Sequence, residues 1–329
     1  MNISRLFSQF ETSKVLVLGD VMLDAYFYGS VSRISPEAPV PIVNLTKKEQ
    51  RLGGAANVAL NLKSLGAEPI ICSIKGNDAD GQKLKDLCKQ RGLVTDGLIN
   101  DYKRETTVKT RIIGNSHQLL RIDEEDTTDI DESVEDLVYQ AVNSFISQVD
   151  VLIFQDYNKG LLTSSLIERV IALCLENKVP MVVDPKFNNF YDYQGVTLFK
   201  PNKKEIQQAE NISETLGLKE IKILASKVRE KLNAVKIMTT LSEDGVIIIN
   251  DSETIHLPAH ARKIVDVSGA GDSVLSVAAL CVAASISDEL TAALSNLAGG
   301  IVCEQVGVVP IDKDLLFGEA MELKVGSGY

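Results

Sequence analysis

The sequence predicts an α/β protein with a doubly wound, mostly parallel sheet flanked by helices, and a small inserted β-sheet. Three observations carry this prediction. Short apolar runs without alternation recur along the chain, which is typical of parallel strands covered on both faces. Helix-like patterns separate these runs, and two further stretches fit neither pattern. The predicted strands are Lys14–Asp20, Pro69–Ser73, Val149–Phe154, Val179–Val183, Val196–Phe199 and Val235–Thr239.

The clearest helical pattern covers Asp131–Ser147. Apolar residues recur there at spacings of one and three, which predicts a helix with a single buried stripe. The residues of this stripe are Val134, Leu137, Val138, Ala141, Val142, Phe145 and Ile146.

Two stretches break the alternation of strand and helix. Ala25–Leu45 contains aromatic residues and three prolines, and Glu105–Ile122 alternates polar and apolar residues. We expect both to form a small antiparallel sheet inserted into an α/β body made of residues 1–24, 46–104 and 123–329. Because exposed strand edges favour pairing with another chain, we expect a second copy of the protein to cover them.

The last third of the chain predicts a hairpin and two helices. Gly245–Asn250 and Thr254–Leu257 are strand-like runs on either side of a polar turn. Stretches rich in Ala, Leu and Val near Ala270–Ser285 and Asp288–Glu304 predict largely buried helices, and the tail from Leu323 is expected to fray.

Composition excludes several classes of function. Hydrophobic residues make up 45% of the 329 residues, which is enough for a packed core. The 34 Lys and Arg against 45 Asp and Glu give a net charge of −11, which argues against sequence-independent nucleic-acid binding. No apolar run approaches the ~18 residues of a membrane span, and the first residues lack the features of a signal peptide, so we expect a cytoplasmic protein. The scattered cysteines indicate reduced core thiols; they are Cys72, Cys88, Cys174, Cys281 and Cys303.

The strongest motif is Asp-Val-Ser-Gly-Ala-Gly-Asp at Asp266–Asp272, directly before an apolar helix. Gly269 and Gly271 let the backbone approach a ligand, and free N–H groups at a helix N-terminus favour an anion such as a phosphate in transfer. The helix dipole should keep Asp272 charged and therefore a weak base. The alternative is an ordinary strand-to-helix turn with a capping aspartate. The Walker phosphate loop and the G-x-G-x-x-G fingerprint are absent from the sequence.

Two further motifs lie near the start of the chain. Arg51–Asn57 reads Arg-Leu-Gly-Gly-Ala-Ala-Asn and leads into a helix, so its glycines permit backbone contact with a ligand, while Asn57 can donate and accept hydrogen bonds. Asp20 and Asp24 follow the first strand, at the edge where open α/β sheets bind ligands. The alternatives are tight helix packing for the glycines and loop capping for the two acids.

With these elements in this order, the chain resembles the ribokinase-like carbohydrate kinases over roughly Lys14 to Pro310. Within that family it is most similar to the group that phosphorylates heptose 7-phosphate, which forms the kinase half of bifunctional ADP-heptose synthesis proteins. The segments that carry the narrower resemblance are Gly19–Asp24, Ser32–Pro41, Gln118–Asp123, Asp156–Gly160, Asp184–Lys186 and Lys200–Glu205.

The resemblance implies a ribokinase-like fold, in which the inserted sheet is a lid and forms a homodimer contact, and it implies a set of site residues. Asp272 would be the catalytic base. The anion hole would be Gly269, Ala270 and Gly271. ATP and Mg²⁺ would be bound by Asn202, Lys203, Lys204, Glu205, Thr240 and Ser242, with Mg²⁺ held mainly through water near Glu205, and a monovalent cation is an open option. The sugar would contact Asp24, Gly53, Gly54, Asn57 and Gln118, and the candidates for the phosphate already on the substrate are Arg33, Arg121, Lys159 and Lys186.

The resemblance also implies a reaction: ATP-dependent phosphorylation of the anomeric hydroxyl of D-glycero-D-manno-heptose 7-phosphate to the 1,7-bisphosphate, in ADP-heptose and lipopolysaccharide core synthesis. A kinase for another sugar or sugar phosphate is the main alternative, and a non-catalytic sugar or nucleotide sensor is a second. Because the sequence has no H-x-G-H motif, we expect no nucleotidyltransferase domain and a separate protein for nucleotide attachment.

Overall fold

The computed structural model describes residues 2–214, 216–260 and 262–323, so nearly all of the tail predicted to fray lies outside the described residues. Within them, nine strands form one sheet and four strands form a second, smaller sheet. In chain order the elements are α1 (Ile3–Phe10), β1 (Lys14–Gly19), β2 (Val21–Ile34), β3 (Pro41–Gly54), α2 (Ala55–Ser64), β4 (Glu68–Gly76), α3 (Ala79–Gln90), β5 (Val94–Asp101), β6 (Val108–Gly114), β7 (His117–Glu124), α4 (Glu132–Phe145), β8 (Val151–Gln155), α5 (Ser164–Asn177), β9 (Met181–Asp184), β10 (Leu198–Phe199), α6 (Lys203–Ala209), α7 (Leu218–Lys231), β11 (Lys236–Thr240), β12 (Val246–Ile249), β13 (Thr254–Leu257), α8 (Ala270–Ala283), α9 (Asp288–Val302) and α10 (Lys313–Met321).

The large sheet has the strand order β13-β12-β11-β10-β9-β8-β1-β4-β5. From β5 across to β11 neighbouring strands run parallel, and β12 and β13 turn back as the predicted hairpin. The predicted fold class is therefore confirmed. Strand β5 was not predicted, because its polar residues give no continuous apolar run at this sheet edge.

The central strand β1 explains why continuous apolar runs predicted this sheet. Val15 and Val17 point to one face of the sheet and join the core formed with α2 and α8. Leu16 and Leu18 point to the other face and join the core formed with α4 and α5. Because side chains alternate between faces, a strand covered on both sides needs apolar residues at every position.

Helix α4 has a narrower buried stripe than the sequence predicted. Val134, Val138 and Val142, each four residues apart, are buried as expected, whereas Leu137 is half exposed. The physical reason is that Leu137 lies about 100° around the helix from Val138, outside the narrow strip that meets the sheet. The prediction that Leu137 belongs to the core was wrong.

The smaller sheet has the order β3-β2-β6-β7 and is mixed rather than antiparallel. β2 pairs antiparallel with β3, but it pairs parallel with β6. Parallel neighbours need a long crossover connection, and here the chain passes through α2, β4, α3 and β5 of the body before it returns as β6. β2 begins, and β3 ends, at residues that were assigned to the body, so both strands extend past the predicted limits of the insertion.

The two faces of the smaller sheet differ in chemistry. Ala25, Phe27, Ile112, Leu120 and Ile122 share what we call the apolar face, because paired positions and positions two apart point the same way. The opposite side is the charged face, and its residues are Asp24, Tyr26, Tyr28, Lys47, Glu49, Arg51, Lys109, Arg111, Gln118, Arg121 and Asp123.

The cysteine prediction is confirmed, since all five side chains are free thiols and are buried. Among the described residues, every helix is too short or too polar to cross a membrane.

Polar contacts inside the core join α2 to α8. The Asn61 side chain accepts hydrogen bonds from the Ser273 hydroxyl (2.9 Å) and the Ile311 amide (3.0 Å), and its Nδ2 donates to the Asn57 carbonyl (2.9 Å). Asn61 thus links both helices to the segment before α10. These contacts fix the relative rotation of the two helices.

Asn61→Leu keeps the branched shape of the side chain but removes the acceptor for the Ile311 amide and the Ser273 hydroxyl. A buried donor left without an acceptor is costly, so the free energy of unfolding should fall by about 1–3 kcal/mol, measured by urea denaturation. Lys63→Ala, on the exposed side of the same helix, is the control and should change it by less than about 0.5 kcal/mol. An equal effect of both variants would contradict a role for the buried network.

Candidate active site

The turn before α8 presents backbone amides to open space. Gly269 has a φ of +81°, which favours glycine, and the helix starts at the next residue. The N–H groups of the first helical turn have no acceptor within the helix. A Cβ atom placed on Gly271 would meet no atom within 4 Å. The structure therefore leaves the room that an anion at this helix N-terminus requires.

Asp272 lies in that first turn, with its carboxylate buried among three donors. Asn57 Nδ2 donates to Oδ2 (2.6 Å), and the Tyr157 hydroxyl donates to Oδ1 (3.0 Å). Gln155 Nε2 is 3.4 Å from Oδ1. Since Asn57 belongs to α2 and Gln155 ends β8, the carboxylate lies where the early glycine motif and the carboxyl edge of the sheet meet.

The protonation of Asp272 differs from the prediction. Burial raises the pKa of its carboxyl group to about 6, against the hydrogen bonds from Asn57 and Tyr157 that lower it. Desolvation of a charged group outweighs the favourable end of a helix dipole, which is worth only about 0.3–1 kcal/mol at exposed sites. Burial therefore opposes the helix-dipole effect on which the weak-base expectation rested, and the carboxyl group of Asp272 holds its proton more tightly than that of a free aspartate.

Asp24, Gly53 and Gly54 adjoin Asn57 in the structure. A Cβ atom on Gly53 would lie 2.4 Å from Asp24 Oδ2, so only glycine lets the carboxylate occupy this position. The same carboxylate accepts a hydrogen bond from Arg111 Nη1 at 2.5 Å. The carboxylate of Asp24 is therefore held by packing and hydrogen bonding, while the amide of Asn57 contacts Asp272 directly.

Asp20, the other acid after β1, supports a loop. Its Oδ2 accepts hydrogen bonds from the amides of Tyr157 (2.8 Å) and Lys159 (3.2 Å). Burial, with a smaller contribution from the nearby Asp156 carboxylate, raises the pKa of Asp20 to about 7. Asp20 thus stabilises the loop that places Tyr157 next to Asp272. This is the loop-capping role that we gave above as the alternative for the acids after the first strand.

The residues predicted to bind nucleotide gather at the start of α6. Asn202 and Glu205 form a capping box, in which each side chain accepts a hydrogen bond from the backbone N–H of the other. Thr240 forms an isolated β-bridge with Asn202. Lys203 and Lys204 occupy the first turn of α6, and Ser242 follows β11.

A divalent cation fits this region only with few protein ligands. The described residues contain no group of three or more His, Cys, Asp or Glu side chains placed to hold a metal ion. One oxygen of Glu205 contacts Lys186 and the other accepts from the Asn202 amide. Because Mg²⁺ commonly keeps several waters and binds through substrate phosphates, Glu205 suits contact through water.

The cations suggested for a substrate phosphate are dispersed. Lys186 pairs with Glu205 in the nucleotide region, and Lys159 pairs with Glu125 at 2.7 Å. Arg121 lies on the charged face with Gln118. Arg33 is exposed near the far end of β2, away from the body.

Three residues at the site were missed by the sequence analysis. Gln155 is the last residue of β8, and Tyr157 follows this strand by two residues. Both therefore lie at the carboxyl edge of the sheet, where open α/β sheets bind ligands, and this position could have identified them. Arg111 contacts Asp24 across paired strands. Only the register of β2 with β6 places these two residues together, and that register was not evident from the sequence.

Curated relatives match nearly the whole chain. It is 38% identical over 321 residues to the "Bifunctional protein HldE" of Syntrophotalea carbinolica, covering 97% of this chain but 65% of the relative. It is also 38% identical over 308 residues to the "D-beta-D-heptose 7-phosphate kinase" of Bordetella bronchiseptica, covering 94% of this chain and 96% of the relative. The chain thus spans about two thirds of the bifunctional protein and nearly all of the other relative.

Solved structures show the same fold. Phosphofructokinase-2 from Escherichia coli in complex with fructose-6-phosphate has a TM-score of 0.76 at 17% identity, covering 94% of this chain and 99% of that chain. Arabidopsis thaliana ribokinase complexed with ribose and ATP has a TM-score of 0.71 at 15% identity, covering 95% and 100%. The sequence profile described as "pfkB family carbohydrate kinase" matches residues 12–314. The ribokinase-like resemblance is therefore confirmed, and the chain belongs to the pfkB family of carbohydrate kinases.

Proposed function

We propose that this carbohydrate kinase transfers the terminal phosphate of ATP to the anomeric hydroxyl of D-glycero-D-manno-heptose 7-phosphate, giving the 1,7-bisphosphate for ADP-heptose synthesis. The observation that carries the proposal is the contact of Asp272 with Asn57 beside the turn at Gly269–Gly271. A proton acceptor, a sugar-binding amide and a set of phosphate-binding amides thereby adjoin one another. The name of the full-length Bordetella bronchiseptica relative supports the choice of sugar.

Unpaired buried acceptors support a ligand rich in hydroxyl groups. Asn57 Oδ1 and Gln155 Oε1 are buried and lack a hydrogen-bond partner among the described residues. Buried polar atoms normally have partners, and both atoms belong to side chains that reach Asp272. Sugar hydroxyls are donors of the kind these two oxygens require.

The proposed reaction uses the chain's own groups as follows. The anomeric hydroxyl donates its proton to Asp272 as its oxygen forms a bond to the terminal phosphorus, and the bond from that phosphorus to ADP breaks. The N–H groups at Gly269–Gly271 stabilise the negative charge on the transferred group. An anomeric hydroxyl is more acidic than an ordinary alcohol, which favours proton transfer to a carboxylate with a pKa near 6.

For the nucleotide, we propose contacts with Asn202, Lys203, Lys204, Thr240 and Ser242, and Mg²⁺ near Glu205. When bound, Mg²⁺ neutralises charge on the nucleotide phosphates. The capping box holds Glu205 in one orientation, and Lys186 supplies a cation on the same side.

We further propose that the smaller sheet is a lid and that its apolar face joins two copies of the protein. Leu120 and Ile122 on that face lie in β7, the edge strand of the sheet, and are 56% and 44% exposed. Contiguous exposed apolar side chains are typical of an interaction surface. A second copy would bury them and cover the sheet edge.

Asp272→Asn should lower kcat for heptose 7-phosphate by roughly 10²–10⁴-fold, because the proton acceptor is lost. Binding of the sugar, measured by calorimetry, should change little. Asp96→Asn, an exposed position on β5, is the control and should keep full activity. Full turnover in Asp272→Asn would remove Asp272 from the mechanism.

A panel of sugars and sugar phosphates, with ADP release as the readout, tests the substrate itself. Heptose 7-phosphate should give the highest kcat/KM. A preference for fructose 6-phosphate or ribose would replace the heptose assignment with another sugar. Absence of turnover with every sugar would favour the sensor alternative.

The pH profile of kcat/KM should report the ionisation of Asp272. The base must be deprotonated, so activity should fall as the pH drops below about 6 and level off above it. The Tyr157 hydroxyl lowers the pKa of this carboxyl by donating a hydrogen bond, so Tyr157→Phe should move the acid limb to higher pH. Tyr102→Phe, at an exposed turn, is the control. An acid limb that stays in place in Tyr157→Phe would contradict the assignment.

Leu120→Asp should convert a dimer into monomers, because it places a charge in the apolar contact. Sedimentation velocity gives the mass directly. Leu175→Asp, at an equally exposed position on α5, should remain a dimer. A wild-type monomer, or a dimeric Leu120→Asp protein, would argue against this interface.

A further inference from the structure

Three polar side chains, which we call the polar row, cross the large sheet below the start of α8. Gln155 ends β8, Asp184 ends β9 and Lys200 follows β10. Each comes two positions after an apolar residue of the core formed with α8; those residues are Ile153, Val182 and Leu198. Because residues two apart on a strand share a face, the polar row lies on the face that α8 covers, and the strand pairing places Gln155 opposite Asp184.

The polar row connects Asp272 to a buried ion pair. Because Gln155 Nε2 is 3.4 Å from Asp272 Oδ1 and 3.5 Å from Asp184 Oδ2, these two carboxylate oxygens lie within about 7 Å of each other. The other oxygen of Asp184 pairs with Lys200 Nζ at 3.0 Å. Two carboxylates therefore share one amide, and one of the two carries a cation on its far side.

Burial makes the charges of this pair matter for Asp272. The side chain of Lys200 is 3% exposed and that of Asp184 is 8% exposed, and Asp272 is also buried. In a site shielded from water, two neighbouring carboxylates do not both ionise readily unless a cation offsets one of them. Lys200 is placed to offset Asp184, which leaves Asp272 free to ionise.

The other charged and titratable side chains around this site have partners of their own. They are Tyr157 of the loop after β8, Lys186 of the loop after β9, Glu205 of α6, Asp266 of the turn before α8, and Asp24 and Arg111 of the smaller sheet. Lys186 contacts Glu205, and Arg111 pairs with Asp24. These two cations are therefore already neutralised by carboxylates outside the polar row.

The directions of the pKa effects agree with this geometry. Burial is the largest cause of the raised pKa of Asp272. The charge of Asp184 raises that pKa further, whereas the charge of Lys200 lowers it. The two members of the ion pair thus act on Asp272 in opposite directions.

We propose that Lys200 is a positioning residue, which neutralises Asp184 and thereby keeps Asp272 ionised and the amide of Gln155 directed at it. This inference deepens the proposed function, because it rests on Asp272 as the proton acceptor. With its N–H groups between two carboxylates, Gln155 leaves its Oε1, which has no partner among the described residues, to a ligand. Lys200 acts through these side chains and does not touch the reacting atoms.

Lys200→Met keeps an unbranched side chain but removes the charge. Two quantities should then move up by about one pH unit, the effect of a unit charge about 10 Å away at an effective dielectric constant of about 20. One is the pKa of Asp272, read from carboxyl ¹³C signals of the unliganded protein, with the signal missing in Asp272→Asn as its assignment. The other is the acid limb of kcat/KM for the sugar at saturating ATP.

Lys236→Met is the matched control. Lys236 also forms a little-exposed ion pair, with Asp288, in which the side chains are 16% and 10% exposed. It begins β11 and so lies at the amino edge of the sheet, away from Asp272. Both quantities should stay at their wild-type values in this variant, and an upward movement equal to that of Lys200→Met would overturn the inference.

Adding Asp184→Asn to Lys200→Met removes both charges of the pair. The pKa of Asp272 should return to within about half a pH unit of wild type, because the neighbouring carboxylate is gone. A double variant whose pKa stays as high as that of Lys200→Met would overturn neutralisation of Asp184 as the role of Lys200.

A comparison without Lys200→Met covers the case in which that variant does not fold. Asp184→Asn keeps the ammonium of Lys200, so the pKa of Asp272 should be about one pH unit lower in Asp184→Asn than in the double variant. Equal values in these two variants would overturn the inference.

The two readouts separate this inference from the proposed function. If the pKa of Asp272 moves as expected but the acid limb does not, Lys200 has the role proposed here and Asp272 is not the proton acceptor. If neither moves, the role of Lys200 is wrong, whichever sugar is the substrate.

Discussion

The hydrogen bond between Asn57 and Asp272 is the contact on which the rest of the site depends. It joins the first turn of α2 to the first turn of α8, two helices whose starts are 215 positions apart in the sequence. Each helix follows a glycine, so the backbone can reach the sheet edge without a Cβ atom in the way. Asn61 and Ser276 add further polar contacts between the same helices. The chemistry is therefore fixed by core packing rather than by a mobile loop.

Burial gives this site its electrostatic character. The same desolvation that raises the pKa of Asp272 to about 6 and that of Asp20 to about 7 makes each hydrogen bond and each cation nearby more effective. Lys186 pairs with Glu205 in the predicted nucleotide region, and Arg111 pairs with Asp24. Positive charge is thus gathered at particular places in a chain whose net charge is −11.

The sequence predicted what depends on local pattern and missed what depends on long-range register. The apolar run of β1 and the glycine turn before α8 predicted the sheet and the helix start that the structure contains. Leu137 was misassigned because the width of a buried stripe depends on how the helix is placed on the sheet. The parallel pairing of β2 with β6, and with it the contact of Arg111 with Asp24, depends on a crossover through the body. The dipole-based expectation for Asp272 left out burial, which raises the pKa of its carboxyl group and is a property of the folded chain.

A crystal structure with heptose 7-phosphate and a non-hydrolysable ATP analogue would show whether Asp272 receives the proton of the anomeric hydroxyl. We expect the anomeric oxygen within about 3.2 Å of an Asp272 carboxylate oxygen, with the terminal phosphate of the analogue on the amides of Gly269–Gly271. A sugar whose anomeric oxygen faces another side chain, with Asp272 still closed against Asn57 and Tyr157, would contradict it.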